Sequence, residues 1–300
     1  MNAAASSARG FLDLPPVPEA EADAIVLPLP LERTVSYGKG TEGGAAAIIE
    51  ASRQIELFDP ETGVDFETGP PRIHTAAPLP PGGEERLPDY LDRARERIAA
   101  WAGRFPLVLG GEHTVAHAGA LGAAAAAGVD PSDLTILQID AHADLVDELD
   151  GRTWSHGTVM RRLIERGCRL LQIGVRSLSR EEYEIADSDE RVETIYAYEM
   201  ERRMEELLGR IRAIRGPVYL SIDVDGFDPS VIPSTGTPQP DGLSWRQGTA
   251  VLRALGEAPR ADWIGADLVE FIPSPHPPGC DIIAAKLAVK ILAYRFAGGK

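Results

Sequence analysis

The chain has 300 residues, 44% of them apolar and 25% charged, which is the balance of a soluble globular protein. No stretch approaches 18 uninterrupted apolar residues and the start lacks the basic and apolar regions of a secretory signal, so neither a membrane span nor an export signal is expected. A formal net charge of -16 argues against nucleic acid as a partner, because phosphate backbones repel so acidic a surface.

The first 22 residues, rich in Ala, Pro and Glu, read as a flexible leader, and residues 23–300 as a single domain. Continuous apolar runs predict strands at 24–27, 106–109, 134–139, 170–175, 193–196, 218–222 and 263–268. Amphipathic or Ala-rich segments between them predict helices at 89–101, 115–127, 159–166, 200–215, 245–255 and 282–296. Buried strands alternating with helices indicate an α/β protein, with a mostly parallel sheet covered on both faces. Cys168 and Cys280 are too few for a disulfide framework, and reduced thiols fit a cytoplasmic setting.

In open parallel sheets, ligands collect at the carboxyl ends of the strands. Polar residues stand at four such ends. His113 follows the run ending at Leu109, in "GGEHT"; Asp140, His142 and Asp144 follow Ile139, in "DAHADL". Asp223 and Asp225 follow Ile222, in "DVDGFDP", and Glu270 follows Leu268. Alternate residues of an extended chain share a face, so Asp140, His142 and Asp144 can enter one pocket together with Asp223 and Asp225. Four carboxylates converging in a low-dielectric crevice repel one another unless cations sit among them. Two divalent cations balance that charge, and six ligands for two metals require a shared aspartate. The oxygen-rich set suits Mn²⁺, with Ni²⁺, Co²⁺ or Fe²⁺ as alternatives.

Each motif alone has a plainer explanation. "DAHADL" can be a capped strand end, "DVDGFDP" a solvated turn and "GGEHT" a tight turn into a helix. Their joint occurrence, in order and at strand ends, points to a metal centre. His117 shares a helix face with His113 and reads as packed beside it; His74 and His276 lie in Pro-rich loops and read as inert. His156, in "WSHGTVMRR", can overhang the crevice and carry protons.

With these residues in order, the sequence resembles the ureohydrolase family of arginases, agmatinases, formiminoglutamases and guanidinobutyrases. The match runs through "GGEHT", "DAHADL", "WSHGTVMRR", "SIDVDGFDPSVIPSTGTPQPDGLSW" and "DLVEF", with "SYGKGTEGGAAAIIEAS" similar to the family's Gly-rich approach to a first helix. The resemblance implies a three-layer α/β/α fold of the arginase–deacetylase type, assembled as a homotrimer or homohexamer. It also implies that His113, Asp140, Asp144 and Asp223 hold one Mn²⁺, and that Asp140, His142, Asp223 and Asp225 hold the other. Asp140 and Asp223 would bridge, His156 would shuttle protons, Asp225 would assist catalysis, and Glu270 would grip a guanidinium.

The expected substrate is a small cationic guanidino compound. Arginases place Asn, Thr and Ser after the ligand aspartate to hold a carboxylate. Here the loop "LVDELDGRTWS" carries Asp147, Glu148 and Asp150 instead. An acidic rim of Asp147 and Glu148 favours agmatine, giving putrescine and urea; a solvent-facing acidic loop is the plainer reading. Guanidinobutyrate, guanidinopropionate, aminopropylagmatine, guanidine and arginine are the alternative substrates, and a non-catalytic metal-binding member is the alternative class. Asp241 in place of the first glycine of a common Pro-Gly-Gly, the lack of a tyrosine near Leu149, and the Pro-rich "FIPSPHPPGCD" depart from the agmatinase pattern. A dinuclear phosphatase would need Asn in "GGEHT", and a deacetylase of this fold a His-His pair; neither is present.

Overall fold

The structure, a computed structural model, describes residues 10–274 and 279–297. Its centre is one sheet of eight strands: β1 (Ala24–Leu29), β2 (Ile73–Thr75), β3 (Phe105–Gly110), β4 (Thr135–Ile139), β5 (Arg169–Val175), β6 (Val192–Tyr196), β7 (Gly216–Asp223) and β8 (Ala261–Val269). Their order is β2-β1-β3-β8-β7-β4-β5-β6, and every neighbouring pair is parallel. Among the described residues, eight α-helices flank the sheet: α1 (Gly44–Ser52), α2 (Leu87–Ala99), α3 (Val115–Ala127), α4 (Val159–Glu165), α5 (Arg180–Ser188), α6 (Met200–Ala213), α7 (Trp245–Gly256) and α8 (Gly279–Phe296).

Strand alternation divides the core between two faces. Val26, Leu107, Leu109, Leu137 and Ile139 meet Ile48 of α1, Leu207 and Ile211 of α6, Val251 of α7 and Leu287 and Ile291 of α8. Their neighbours Ile25, Leu27 and Val108 point the other way, onto Tyr90, Leu91 and Ile98 of α2. Ile136 and Leu170 continue that second face against α3 and α4. The result is the three-layer α/β/α arrangement expected from the sequence. No helix of the described residues is long and apolar enough to cross a membrane.

All seven expected strands and all six helices from the apolar pattern are present, within a few residues at each end. The short edge strand β2 was not expected, since three residues among prolines carry no readable period. His74 therefore lies on a strand, with Nδ1 2.7 Å from the Val17 carbonyl oxygen, and not in a loop. Helix α5, "REEYEIADS", was also missed because charge hides its single apolar stripe. The expected leader is not free as far as residue 22. Phe11 and Leu12 are buried, their amides donating to Thr75 Oγ1 (2.9 Å) and Ser52 Oγ (2.8 Å). His276 lies outside the described residues. Cys168 and Cys280 are both free and buried, and burial pushes the Cys168 thiol up to about 12.

The β3 end is tied to the loop after β1 at very close range. Gly111 lies so near Leu31 that an added Cβ would stand 2.0 Å from the Leu31 carbonyl oxygen, which accepts the Glu112 amide at 2.8 Å. Gly111→Ala is expected to destabilise the fold by about 1–3 kcal/mol, as overpacking does. Gly209→Ala, inside α6 with open space where the Cβ would go, should instead stabilise by about 0.5–1 kcal/mol. Thermal or urea unfolding of both variants checks the contrast.

Candidate metal centre

The sheet order brings the four candidate strand ends side by side as β3-β8-β7-β4. His113 follows β3, Glu270 follows β8, Asp223 closes β7 with Asp225 in the turn beyond, and Asp140, His142 and Asp144 follow β4. Asp140, Asp225 and His113 are almost wholly buried, and Asp144 and Asp223 nearly so.

His113 Nδ1 is 2.9 Å from Asp144 Oδ2, 3.1 Å from Asp140 Oδ2 and 3.6 Å from Asp223 Oδ2. None of these oxygens is in line to hydrogen-bond that nitrogen, which stays unpartnered despite its burial. His142 Nδ1 lies 3.1 Å from Asp225 Oδ2 and 3.6 Å from Asp140 Oδ1. Two groups of ligand atoms are thus close enough to hold an ion: His113, Asp140 and Asp223, and Asp140, His142 and Asp225. Asp140 belongs to both; Asp223 falls only in the first. A ring nitrogen facing three carboxylate oxygens, bonded to none, suits a cation placed between them.

The opposite side of the His113 ring fixes its tautomer. Nε2 is 2.9 Å from Ser221 Oγ, and the Ser221 hydroxyl donates to Asp267 Oδ1 at 2.8 Å. With its only hydrogen spent on Asp267, Ser221 accepts from Nε2–H, so Nδ1 is the nitrogen turned towards the carboxylates. Asp140 is held by equally specific contacts. Oδ1 accepts the His142 amide (2.7 Å) and Oδ2 the Gln138 side-chain amide (2.7 Å). Gln172 donates to Gln138 Oε1 (2.7 Å), and Thr194 to Gln172 Oε1 (2.9 Å). Asp225 accepts the Ala141 amide (3.1 Å) and the Thr237 hydroxyl (3.2 Å). Beneath it, the Arg176 guanidinium donates to the main-chain oxygens of Asp225 (2.6 Å), Gly174 (2.9 Å), Gln239 (3.0 Å) and Pro240 (2.9 Å), binding the Asp225 turn to the loop that follows.

Glu270 lies at φ 61° and Asp144 at φ 55°, left-handed conformations that cost a non-glycine residue energy and cluster at functional sites. Asp241 also takes a positive φ, 66°, where glycine would be free of strain. The Glu270 carboxylate accepts the His113 amide at 2.7 Å. Burial raises the Glu270 carboxyl to about 8 and, with Asp140 beside it, the Asp144 carboxyl to about 7. Burial and the neighbouring carboxylates also raise Asp223 well above the usual range. Burial opposes charge on the two imidazoles, yet the aspartates around them raise both, His142 to about 11. At Asp140 burial is again opposed, and His113 and His142 hold its carboxyl low.

His156 lines the same cleft as His113, His142, Asp144, Asp223 and Glu270, with Ser36 and Thr237 completing the wall. Burial lowers its imidazole below the ordinary value, with the Glu112 carboxylate pulling the other way. The cleft opens into a cavity of about 260 Å³, whose walls include Val146, Leu149, Leu178, Ser179 and Glu182. The expected acidic rim does not reach it. Asp147 is exposed and ion-paired with Arg162, and Glu148 is exposed; neither lines the cleft or the cavity. The acidic walls of the cavity are Asp144 and the buried Glu182; Glu182 caps α5 through the Ser179 amide (2.7 Å) and accepts the Leu145 amide (3.1 Å). His117 packs edge-on against Trp154, and burial lowers it to about 4.

The supporting residues Gln138, Gln172, Ser221 and Asp267 were missed, although each is a polar interruption in an apolar strand and could have been noticed. Thr34, Ser36 and Thr237 lie in loops with no such signal.

The sequence model described as Arginase family matches residues 22–294. The N(1)-aminopropylagmatine ureohydrolase of Synechocystis sp. is 34% identical over 285 residues, covering 92% of this chain and 90% of that one. The chain belongs to the arginase family. The agmatinase of Bacillus anthracis is 31% identical, with 91% of each chain covered. Among solved structures, the agmatine ureohydrolase of Thermoplasma volcanium superimposes with a TM-score of 0.80 at 26% identity, covering 94% of this chain and 92% of that one. The fold of this arginase-family chain is therefore shared with its relatives almost from end to end.

Ser221→Ala is expected to weaken divalent-cation affinity by roughly ten- to a hundredfold without unfolding the protein, as loss of a group behind a metal-bound imidazole does. Cation binding measured by calorimetry checks this. Cation binding should also release protons. Asp144 and Glu270, raised to about 7 and about 8, hold protons near neutrality that a cation displaces. Apparent affinity should therefore strengthen from about pH 6 upward and go on strengthening above about pH 9, where His142, raised to about 11, still holds a proton, with proton release visible in weakly buffered titrations.

Proposed function

We propose that the chain is a dinuclear-metal ureohydrolase that cleaves the guanidino group of a cationic alkylguanidine to an amine and urea. The observation that carries this reading is the convergence of His113, Asp140, His142, Asp144, Asp223 and Asp225 beside Glu270 in one buried cleft. In the reading, His113, Asp140, Asp144 and Asp223 would hold one Mn²⁺, and Asp140, His142, Asp223 and Asp225 would hold the other. Asp140, common to both groups of ligand atoms, would contribute to both ions. When bound, the metals would supply the lowering of water's pKa that makes it a nucleophile near neutral pH.

The chain's own residues do the rest. Glu270 receives the planar guanidinium by charge-assisted hydrogen bonds, and its fixed position at the end of β8 aims the central carbon into the cleft. A cationic group beside Glu270 also favours its ionised form, against the burial that raises it. His156 carries a proton to the leaving amine, and Asp225, held by Ala141 and Thr237, is the carboxylate that supports that transfer. Gly38 and Gly236 bring their backbones together in the cleft wall, the Gly38 amide donating to the Gly236 carbonyl at 3.2 Å.

Agmatine is the first substrate of this reading, and N1-aminopropylagmatine is a second favoured by a particular observation. The cavity of about 260 Å³ beyond the cleft offers apolar walls at Val146, Leu149 and Leu178 for a longer methylene chain, and Glu182 for an amine. Relatives at 34% and 36% identity are named N(1)-aminopropylagmatine ureohydrolase.

Urea release by Mn²⁺-loaded protein, with agmatine, N1-aminopropylagmatine, guanidinobutyrate and arginine in parallel, tests the reading. Turnover of the two amines, lost by at least about a hundredfold in Glu270→Gln with metal content unchanged, is expected. Equal turnover of arginine would overturn the cationic-tail assignment. No urea from any of them in metal-replete protein would overturn the function.

A further inference from the structure

Behind His156 stands a buried carboxylate and hydroxyl pair that the reaction scheme leaves unused. Glu112 is fully buried and accepts four hydrogen bonds: from the amides of Arg33 (2.5 Å) and Thr34 (2.7 Å) and the hydroxyls of Thr34 (2.8 Å) and Thr114 (2.8 Å). The Thr34 hydroxyl in turn lies 3.1 Å from the His156 amide and 3.2 Å from His156 Nδ1. A hydroxyl has one hydrogen and two lone pairs. Thr34 spends its hydrogen on Glu112 Oε1, so both contacts with His156 must be accepted. The amide supplies one donor, and the other can only be Nδ1–H. The remaining ring nitrogen, Nε2, is 2.9 Å from Ser36 Oγ, on the wall shared by the cleft and the larger cavity.

We infer that Glu112 and Thr34 are positioning residues for His156, locking its neutral imidazole as the Nδ1–H tautomer so that Nε2 is the nitrogen that exchanges protons with the cleft. The inference rests on the proposed reading in which His156 serves the leaving amine. With the tautomer locked, a proton taken at Nε2 is given back from Nε2, and Nδ1–H stays bonded to Thr34 throughout. The opposite tautomer would set a bare Nδ1 against a hydroxyl oxygen with no hydrogen to offer, and would block Nε2. The logic is that of a buried acid orienting a catalytic histidine, with a threonine hydroxyl interposed. Sequence position hides it, because Thr34, Glu112 and His156 come from the β1, β3 and β4 ends and meet only in the fold.

Thr34→Val removes the hydroxyl while keeping the side-chain shape and the Thr34 amide bond to Glu112, and Thr34→Ser restores the hydroxyl. The full chain, labelled with ¹⁵N in its histidine rings and loaded with diamagnetic Mg²⁺, is examined by two-bond ¹H–¹⁵N NMR above the His156 titration, with His156→Asn to assign the signals. The expected result is a protonated Nδ1 and a bare Nε2 in the parent and in Thr34→Ser, with mixed tautomers in Thr34→Val. In Mn²⁺-loaded protein, kcat for urea release should fall roughly ten- to a hundredfold in Thr34→Val, with KM nearly unchanged, and return in Thr34→Ser. A parent protein with Nε2–H or an even mixture overturns the inference without reference to any variant. So does a Thr34→Val protein that keeps the Nδ1–H tautomer and its kcat. The NMR result needs no substrate, so a protein that releases no urea refutes the proposed function while the tautomer is still decided.

Discussion

Like charges forced together out of water set the terms for this molecule. Asp140 and Asp144 from β4, Asp223 and Asp225 from β7 and Glu270 from β8 converge in one buried cleft, because those three strands are neighbours in the sheet. Such a cluster is unfavourable unless cations or protons balance it, and the raised carboxyls of Asp144, Asp223 and Glu270 express that demand. The left-handed backbone at Asp144 and Glu270 adds local strain in the same place. A fold that holds these groups in position suits the exchange of protons for divalent cations.

Holding them takes a polar row laid across an otherwise apolar sheet. Thr194, Gln172, Gln138, Ser221 and Asp267 stand in register on five adjacent strands, β6-β5-β4-β7-β8. Gln138 passes one end of the row to Asp140, and Ser221 passes the other to His113. Each donor and acceptor along these contacts is directional, so the row sets which oxygen and which ring nitrogen face the cleft. Apolar side chains at those positions would pack as well but leave the ligands free to turn away from one another.

Outside the cleft the chain is less symmetrical than its charge suggests. The acidity of -16 is mostly spread over the surface, and Asp147, which looks like a rim for a cationic tail, is spent on Arg162. Besides Asp144, the carboxylate that meets the outer cavity is Glu182, brought there by the cap of α5. Apolar Val146, Leu149 and Leu178 surround it, a lining suited to methylenes ending in an amine.

The apolar runs and helical patterns determined the layers, and the polar residues just beyond each run determined the candidate ligand atoms, because both depend on spacing along the chain. "GGEHT", "DAHADL" and "DVDGFDP" therefore read as a metal centre from their order and spacing alone. Spacing carries no information about which strands are neighbours. The order β3-β8-β7-β4, which brings the three motifs and Glu270 together, is a property of the whole sheet. The same is true of Ser221 behind His113, Gln138 behind Asp140, and Thr34 and Glu112 behind His156. Hydrogen bonds between residues distant in sequence are set only when tertiary packing puts donor opposite acceptor. The sequence by itself determined which chemistry was available, and the tertiary structure decided how each side chain was aimed.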